Sequence, residues 1–453
     1  MKRTIGLYDH LFEEIAGLGA EHTTIFDRIC AFLLAMSPLL QFYKGPVRNA
    51  GFTVLLLLAP LFVLRLAKTA VNGRADKKCL LAMLPMLFFQ IYKMVDHGIT
   101  REKLIYCVFF LVLFVAAAAG AFNISLLLKY ATAVCLAATL LLAVQYFCFY
   151  LLGFHLQLAP VSLFLPTSTA WELGVQTGLY GLRGIPNGFY RPSAFFMEPS
   201  HMLLYSFPVL SVLLLSRGMK RWRMITAALI TFGLVLSTSG MGIVIAAGLW
   251  GIFIVLYHTK RNRKNVASIK TLLSARTAAL LLAAVVLAVI MYLGVPAVRR
   301  TANRLVQKNS SGQILVISGR NRLANGLIED MSGTDLVLGL LEDTSDFRFN
   351  IPGYHATMYK YGLIGIVLSY LFYVQFLFRT KGAGFWITVI ILVLSFFTAH
   401  THGTFFLLEY TLFLMNALYM EGRPPAEAGV PEASGRLQPA GQPGLQTAIS
   451  ENN

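Results

Sequence analysis

Residues 130–152 read YATAVCLAATLLLAVQYFCFYLL, a run without one charged side chain. A helix crossing ~30 Å of hydrocarbon needs ~20 such residues, so this stretch has the length and composition of a transmembrane span. Comparable apolar runs lie near 26–43, 51–67, 79–95, 103–121, 200–215, 224–238, 241–257, 277–295, 357–378, 385–401 and 404–420. Apolar side chains make up 57% of the 453 residues and charged ones 13%, against about 25% charged in soluble domains. The fold expected is all-α, a polytopic integral membrane protein of about 12 transmembrane helices with two large extracytoplasmic loops. The same composition excludes a disordered chain and a disulfide scaffold. An outer-membrane barrel would show period-2 alternation in place of long apolar runs.

The formal net charge of +17 raises the question of a nucleic-acid partner, and the placement of the charge answers it. With the N-terminus in the cytoplasm, the short inner connections hold eighteen Lys and Arg, among them Arg74, Lys77, Lys78, Arg217, Lys220, Arg221, Arg261 and Lys264. The short outer connections hold five: Lys44, Arg48, Lys93, Arg101 and Lys103. This asymmetry is the positive-inside rule, so the basic charge reads as topology and no nucleic acid is expected. The lipid bilayer is the first partner, and the cell (cytoplasmic/inner) membrane the expected location.

Residues 1–25 carry Asp9, Glu13, Glu14 and Glu21 and do not read as a cleaved signal peptide. Leu7, Leu11, Phe12, Ile15 and Leu18 recur at helical spacing, which suits an interfacial helix on the cytoplasmic side. Residues 26–420 form the membrane domain. Residues 421–453, rich in Pro, Gly and Ala without periodicity, read as a disordered cytoplasmic tail. The cysteines Cys30, Cys79, Cys107, Cys135 and Cys148 lie in or beside apolar runs without ligand-like spacing and read as small core residues.

Two connections are long, about 153–199 and about 296–356, and both fall on the outer side of this topology. Tightly connected spans do not need such segments for stability, so function is expected there. The second carries Arg299, Arg300, Arg304, Lys308, Arg320, Arg322 and Arg348 on a face where the charge rule disfavours them. Anionic ligand binding is one reason for such arginines; pairing with Glu329, Asp330, Asp335, Glu342, Asp343 and Asp346 of the same loop is the other. Ser318-Gly319-Arg320 precedes Asn321–Met331, where Leu323, Leu327, Ile328 and Met331 share a helical face, so Arg320 would open a short helix.

The first loop ends in Arg191-Pro192-Ser193-Ala194-Phe195-Phe196-Met197-Glu198-Pro199-Ser200-His201. Pro199 suits the first position of a helix, which places Glu198 at its mouth. Glu198 could equally be a carboxylate complementing the helix dipole, and His201 a satisfied interfacial histidine. The second loop ends in Gly353-Tyr354-His355, with Lys360 and Tyr361-Gly362-Leu363-Ile364-Gly365 beyond it. His355 thus stands where a span begins, in the same layer as Glu198. Ser237-Thr238-Ser239-Gly240-Met241-Gly242 is a tight small-residue turn, and Glu409 is a carboxylate inside the last apolar run. There is no G-x-x-x-x-G-K-[ST] and no metal-ligand spacing, so neither nucleotide, metal nor other cofactor is expected. No internal repeat relates the halves, as many transporters would show.

Arg191 with Phe195 to His201, the Ser237 to Gly242 turn, Ser318-Gly319-Arg320, and Gly353-Tyr354-His355 with Tyr361 to Gly365 resemble the Wzy-type polysaccharide polymerases of bacterial surface glycans. The layout is also similar to the related O-antigen ligases, which often place Asn after the histidine where this chain has Ala356. The resemblance implies a glycosyltransferase that joins polyprenyl-pyrophosphate-linked oligosaccharide repeat units on the outer leaflet. It implies Arg191 and Arg320 as pyrophosphate binders, with His355 as base and Glu198 as second base or orienter. Arg322, Arg348, His201 and Lys360 are secondary candidates. A chain-length regulator and a flippase of the same pathway are the protein partners it implies. The alternatives are a ligase, differing in acceptor, and a lipid-linked oligosaccharide flippase or other transporter.

Overall fold

The computed structural model describes residues 24–46, 49–71, 77–95, 122–154, 192–216, 221–262, 326–341, 353–398 and 404–422, with a few single positions between them. Among these residues the regular elements are all helices. In chain order they are α1 (Ile25–Leu40), α2 (Ala50–Val71), α3 (Lys77–Val95), α4 (Ile124–Tyr150), α5 (Pro199–Leu215) and α6 (Arg221–Leu236). They continue with α7 (Gly240–Asn262), α8 (Gly333–Leu338), α9 (Gly353–Arg379), α10 (Ala383–Phe397) and α11 (Thr404–Gly422). All but the short α8 overlie apolar runs read from the sequence. The runs at 277–295 and, for the most part, 103–121 lie outside the described residues, as do the expected interfacial helix at 1–23 and the tail from 423.

Helix starts follow local side-chain chemistry. Thr24 and Asp27 form a reciprocal capping box at α1, where the Asp27 N–H donates to Thr24 Oγ1 at 3.2 Å and the Thr24 N–H to Asp27 Oδ2 at 2.9 Å. Asn49 accepts from the Phe52 N–H at 2.7 Å before α2, and Asn123 from the Leu126 N–H at 3.1 Å before α4. Pro199 opens α5 at the position where its missing N–H does no harm.

The core is built around α5 and α11. Every residue from His201 to Ser211 and from Phe405 to Met415 is buried. Their serine hydroxyls do not disturb this packing, because they bond back within their own helices. Ser206 donates to the Met202 carbonyl at 2.6 Å and Ser211 to the Phe207 carbonyl at 2.8 Å. Around the core, α4 packs on α1, α5 and α6, and α9 packs on α3, α8 and α10.

The outward surface is apolar. Phe378 is 86% exposed, Leu57 73%, Leu64 68% and Leu140 65%. Ile124–Tyr150 and Gly353–Arg379 are long and apolar enough to cross a membrane. Shorter apolar helices accompany them at Ala50–Leu64, Leu80–Val95, Pro199–Leu215, Gly240–Leu256, Ala383–Phe397 and Phe405–Leu418.

One helix departs from the sequence reading. The run 357–378 reads as a single uninterrupted span, whereas α9 is broken at Gly362, whose φ of 58° and ψ of −162° are not helical. Tyr354 and Tyr370, on opposite sides of the break, both pack on Phe396 of α10, at 5.6 and 5.8 Å between ring centroids. The Gly353–Tyr361 arm therefore turns aside over the C-terminal end of α10 and does not continue the axis of Leu363–Arg379.

Candidate functional site

The segment before α5 is held in place by two side chains distant in sequence. Gln145, buried in the last two turns of apolar α4, accepts from the Ala194 N–H at 3.0 Å through Oε1 and donates through Nε2 to the Leu156 carbonyl at 3.1 Å. One amide thereby ties both ends of the first long loop to α4. The Tyr43 hydroxyl donates to the Phe195 carbonyl at 2.7 Å, and burial pushes its pKa up from 10.0 to about 12. Between these anchors Ala194 adopts φ 54°, a left-handed conformation that a residue with a Cβ keeps only when its surroundings impose it.

The turn delivers Glu198 as the N-cap of α5, half-buried, with its Oε2 accepting from the Ser200 hydroxyl at 2.9 Å. A carboxylate at this position faces the positive end of the helix dipole. His201, one turn on, is 1% exposed and stacks flat on Phe42 with 4.1 Å between ring centroids and 5° between planes. Its place is inside the aromatic packing around Phe42 and Phe406.

His355 lies in the arm of α9. It is 1% exposed, with the Tyr354 ring 3.7 Å away. Gly353 opens the arm where no side chain would fit, since a Cβ there would come 2.2 Å from the Ser395 carbonyl oxygen. Thr357 donates to the Gly353 carbonyl at 3.0 Å and closes the first turn.

The second long loop docks onto the break. A helix interrupted at Gly362 leaves carbonyls in the preceding turn without their usual donors. Leu340 donates its N–H to the Tyr359 carbonyl at 2.9 Å and Leu341 to the Lys360 carbonyl at 3.1 Å. Two glycines make the approach possible. A Cβ on Gly362 (φ 58°) would lie 2.4 Å from the Val337 carbonyl oxygen, and one on Gly339 (φ 78°) 2.4 Å from the Lys360 carbonyl oxygen. The Tyr92 hydroxyl of α3 adds a hydrogen bond to the Leu338 carbonyl. Beneath this junction the Tyr361 ring packs edge-on to Phe89, with Lys93 Nζ 5.9 Å and Lys360 Nζ 5.6 Å from its centroid.

Glu198 and His201 thus open α5, and His355 and Lys360 share the arm of α9. Both groups sit at one end of the bundle, where Phe42 beyond α1 meets His201 of α5 and Phe406 of α11. Arg191, Arg320, Arg322 and Arg348 lie outside the described residues, as do Ser318 and Gly319. Glu409 lies in the core and not at this rim. Among the described residues no group of three or more His, Cys, Asp or Glu gathers as a metal site would require.

Three contributors to this geometry were not singled out from the sequence. Gln145 carried a signal, a lone amide within an apolar run. Tyr43 and Gly339 carried none, because each acts on a segment far away along the chain. Comparison with protein-family models finds none that matches the chain, and comparison with curated proteins finds no match either.

Proposed function

We propose that this chain is a multi-pass glycosyltransferase of the cytoplasmic (inner) membrane. It would join polyprenyl-pyrophosphate-linked oligosaccharide repeat units into a surface polysaccharide at the outer leaflet. The observation that supports it best is the setting of His355: a buried histidine, in a helical arm set across the end of the bundle where Glu198 opens α5. The segments that resemble Wzy-type polymerases form the α5 mouth, the α6–α7 turn and the broken start of α9. The apolar surface of the helices supports the membrane setting, and twelve spans with two outer loops accommodate the charge asymmetry.

The chemistry asked of such a site is limited. Pyrophosphate is already a good leaving group, so the protein must steady its departing charge and take one proton from the acceptor hydroxyl. Arg191 and Arg320 are assigned the first task, because a guanidinium binds phosphate through two parallel donors. His355 is assigned the second, with Glu198 as its partner or substitute. Arg322, Arg348, His201 and Lys360 are the neighbours whose loss should matter less.

Purified protein in liposomes, given a lipid-linked repeat unit, is expected to yield a ladder of products. A single transfer to a lipid acceptor would instead make it a ligase, and substrate translocation without any product a flippase. Loss of one donor to developing charge typically lowers rate ~10²–10³-fold, and loss of a general base ~10²–10⁴-fold. Folded Arg320→Lys and His355→Ala variants are expected to fall in those ranges. Near wild-type rates in both would remove these residues from the mechanism.

A further inference from the structure

The proposal above gives no part to Glu409, a carboxyl buried in the helical core. Glu409 lies in the second turn of α11, and both of its carboxyl oxygens are buried and accept no hydrogen bond among the described residues. A carboxylate in that setting would have given up water and received nothing in exchange.

The neighbours explain why no donor reaches it. Tyr205 of α5 and Cys135 of α4 lie within its electrostatic reach, as does the adjacent Tyr410. Both tyrosine hydroxyls are committed elsewhere: Tyr205 donates to the Ala35 carbonyl at 2.8 Å, and Tyr410 to the Leu204 carbonyl at 2.9 Å. The remaining helices packed on α11 supply no cation at this level. α10 contains no titratable residue. Asp27, Arg28 and Cys30 of α1 stand in its first two turns, Lys129 and Tyr130 of α4 in its first two turns and Tyr146, Cys148 and Tyr150 in its last two, and Lys77, Lys78, Cys79, Tyr92 and Lys93 of α3 in its terminal turns.

A second observation concerns position. Glu198, His201 and Tyr205 recur on one face of α5 at helical spacing. Across from them on α11, Phe406 lies 6.3 Å from His201, and Tyr410 lies 5.1 Å from Phe207 between ring centroids. Glu409 therefore sits about one turn deeper than His201, below a file of exchangeable groups that starts at the mouth of α5.

We propose that Glu409 is a proton-binding site in the helical core, occupied as the neutral carboxylic acid at neutral pH. The ligand is the proton itself, taken up as the carboxylate becomes a carboxylic acid, with no other bond made or broken. This site goes beyond the glycosyl-transfer reading and does not depend on it.

Two measurements on the full-length protein in detergent test it. The first compares thermal unfolding of the wild type with Glu409→Gln, which has the shape of the neutral acid but cannot release a proton. The unfolded chain releases the Glu409 proton in the ordinary glutamate range, while the folded chain keeps it, so wild-type stability falls relative to the variant as pH rises. The variant is expected to melt at or above the wild type at about pH 8, with the difference shifting toward the wild type at about pH 5. A wild type that melts higher at the upper pH, with its lead shrinking on acidification, would mean an ionised and paired Glu409 and would overturn the proposal.

The second uses dicyclohexylcarbodiimide, an apolar reagent whose C=N bond takes up a protonated carboxyl, giving an O-acylisourea that rearranges by acyl shift to a stable N-acylurea. Peptide mass spectrometry is expected to find the adduct on Glu409 at neutral pH, undiminished by sodium chloride. Protection by sodium ions would identify a site for a metal cation and not for a proton.

Discussion

A buried amide in an apolar helix has to find partners, and Gln145, near the end of α4, finds them at both ends of a long loop. Replacing it with leucine removes both bonds and leaves the buried Ala194 N–H and the half-buried Leu156 carbonyl short of a partner. A buried group left unsatisfied costs about 1–3 kcal/mol. Gln145→Leu is expected to lower the unfolding free energy in detergent by that order, although it makes α4 more apolar. A variant as stable as the wild type would show that water replaces the amide. Tyr43 makes the complementary prediction in pH. Its folded pKa is raised to about 12 by burial, so the unfolded chain loses this proton first as pH climbs past the ordinary tyrosine range. Between those limits the unfolded state binds fewer protons, and stability falls as pH rises; below them the contribution is fully present. After discounting for partial exposure, the loss is about 1–2 kcal/mol. Tyr43→Phe should flatten this part of the alkaline unfolding curve, at the expense of the hydrogen bond to Phe195 at all lower pH values.

At the scale of the element, the break in α9 and the loop that fills it form one unit. Gly339 and Gly362 face each other's neighbouring carbonyls so closely that neither tolerates a Cβ, and both have positive φ. A non-glycine residue forced into such a conformation costs of order 1–3 kcal/mol before any clash is counted. Gly362→Ala and Gly339→Ala are each expected to destabilise by at least about that amount. The double variant should fall short of the sum, because both changes disrupt the same contact. Additive losses would show that the loop and the arm are not energetically joined. The element also separates what the sequence discloses from what it does not. Apolar length places α5, α10 and α11 to within a few residues, though α4 begins six residues before its run, and Pro199 marks the start of α5, because these signals are local. The same signal runs straight through Gly362, since hydrophobicity does not register a change of axis and isolated glycines are common in membrane helices. Glu198 and His355 could be read as helix-end residues for the same local reason. The aromatic burial of His201 could not, because Phe42 and Phe406 reach it from distant segments.

For the whole molecule, the charge asymmetry and the apolar surface are two readings of one arrangement. The bundle presents Leu57, Leu64, Leu140 and Phe378 outward, which water would penalise and a bilayer would not. A membrane setting then requires an orientation, and we propose the one that the distribution of Lys and Arg in the short connections favours, with both long loops outside and the tail inside. The orientation matters to the proposed chemistry, because the mouth of α5 and the arm of α9 must share the face on which a polyprenyl-linked donor is presented. Single cysteines at Val175→Cys, Gly312→Cys and Ala440→Cys, in a background with the native cysteines replaced, test all three segments with a thiol reagent that cannot cross the membrane. Intact cells are expected to label at the first two positions, and at the third only after permeabilisation. Labelling of the tail in intact cells would invert the topology, place Glu198 and His355 on the cytoplasmic face, and remove the basis for an outer-leaflet reaction. Protection of either loop position alone would leave the orientation standing but would take that loop out of the exposed face, and with it Arg191 or Arg320 as a pyrophosphate ligand.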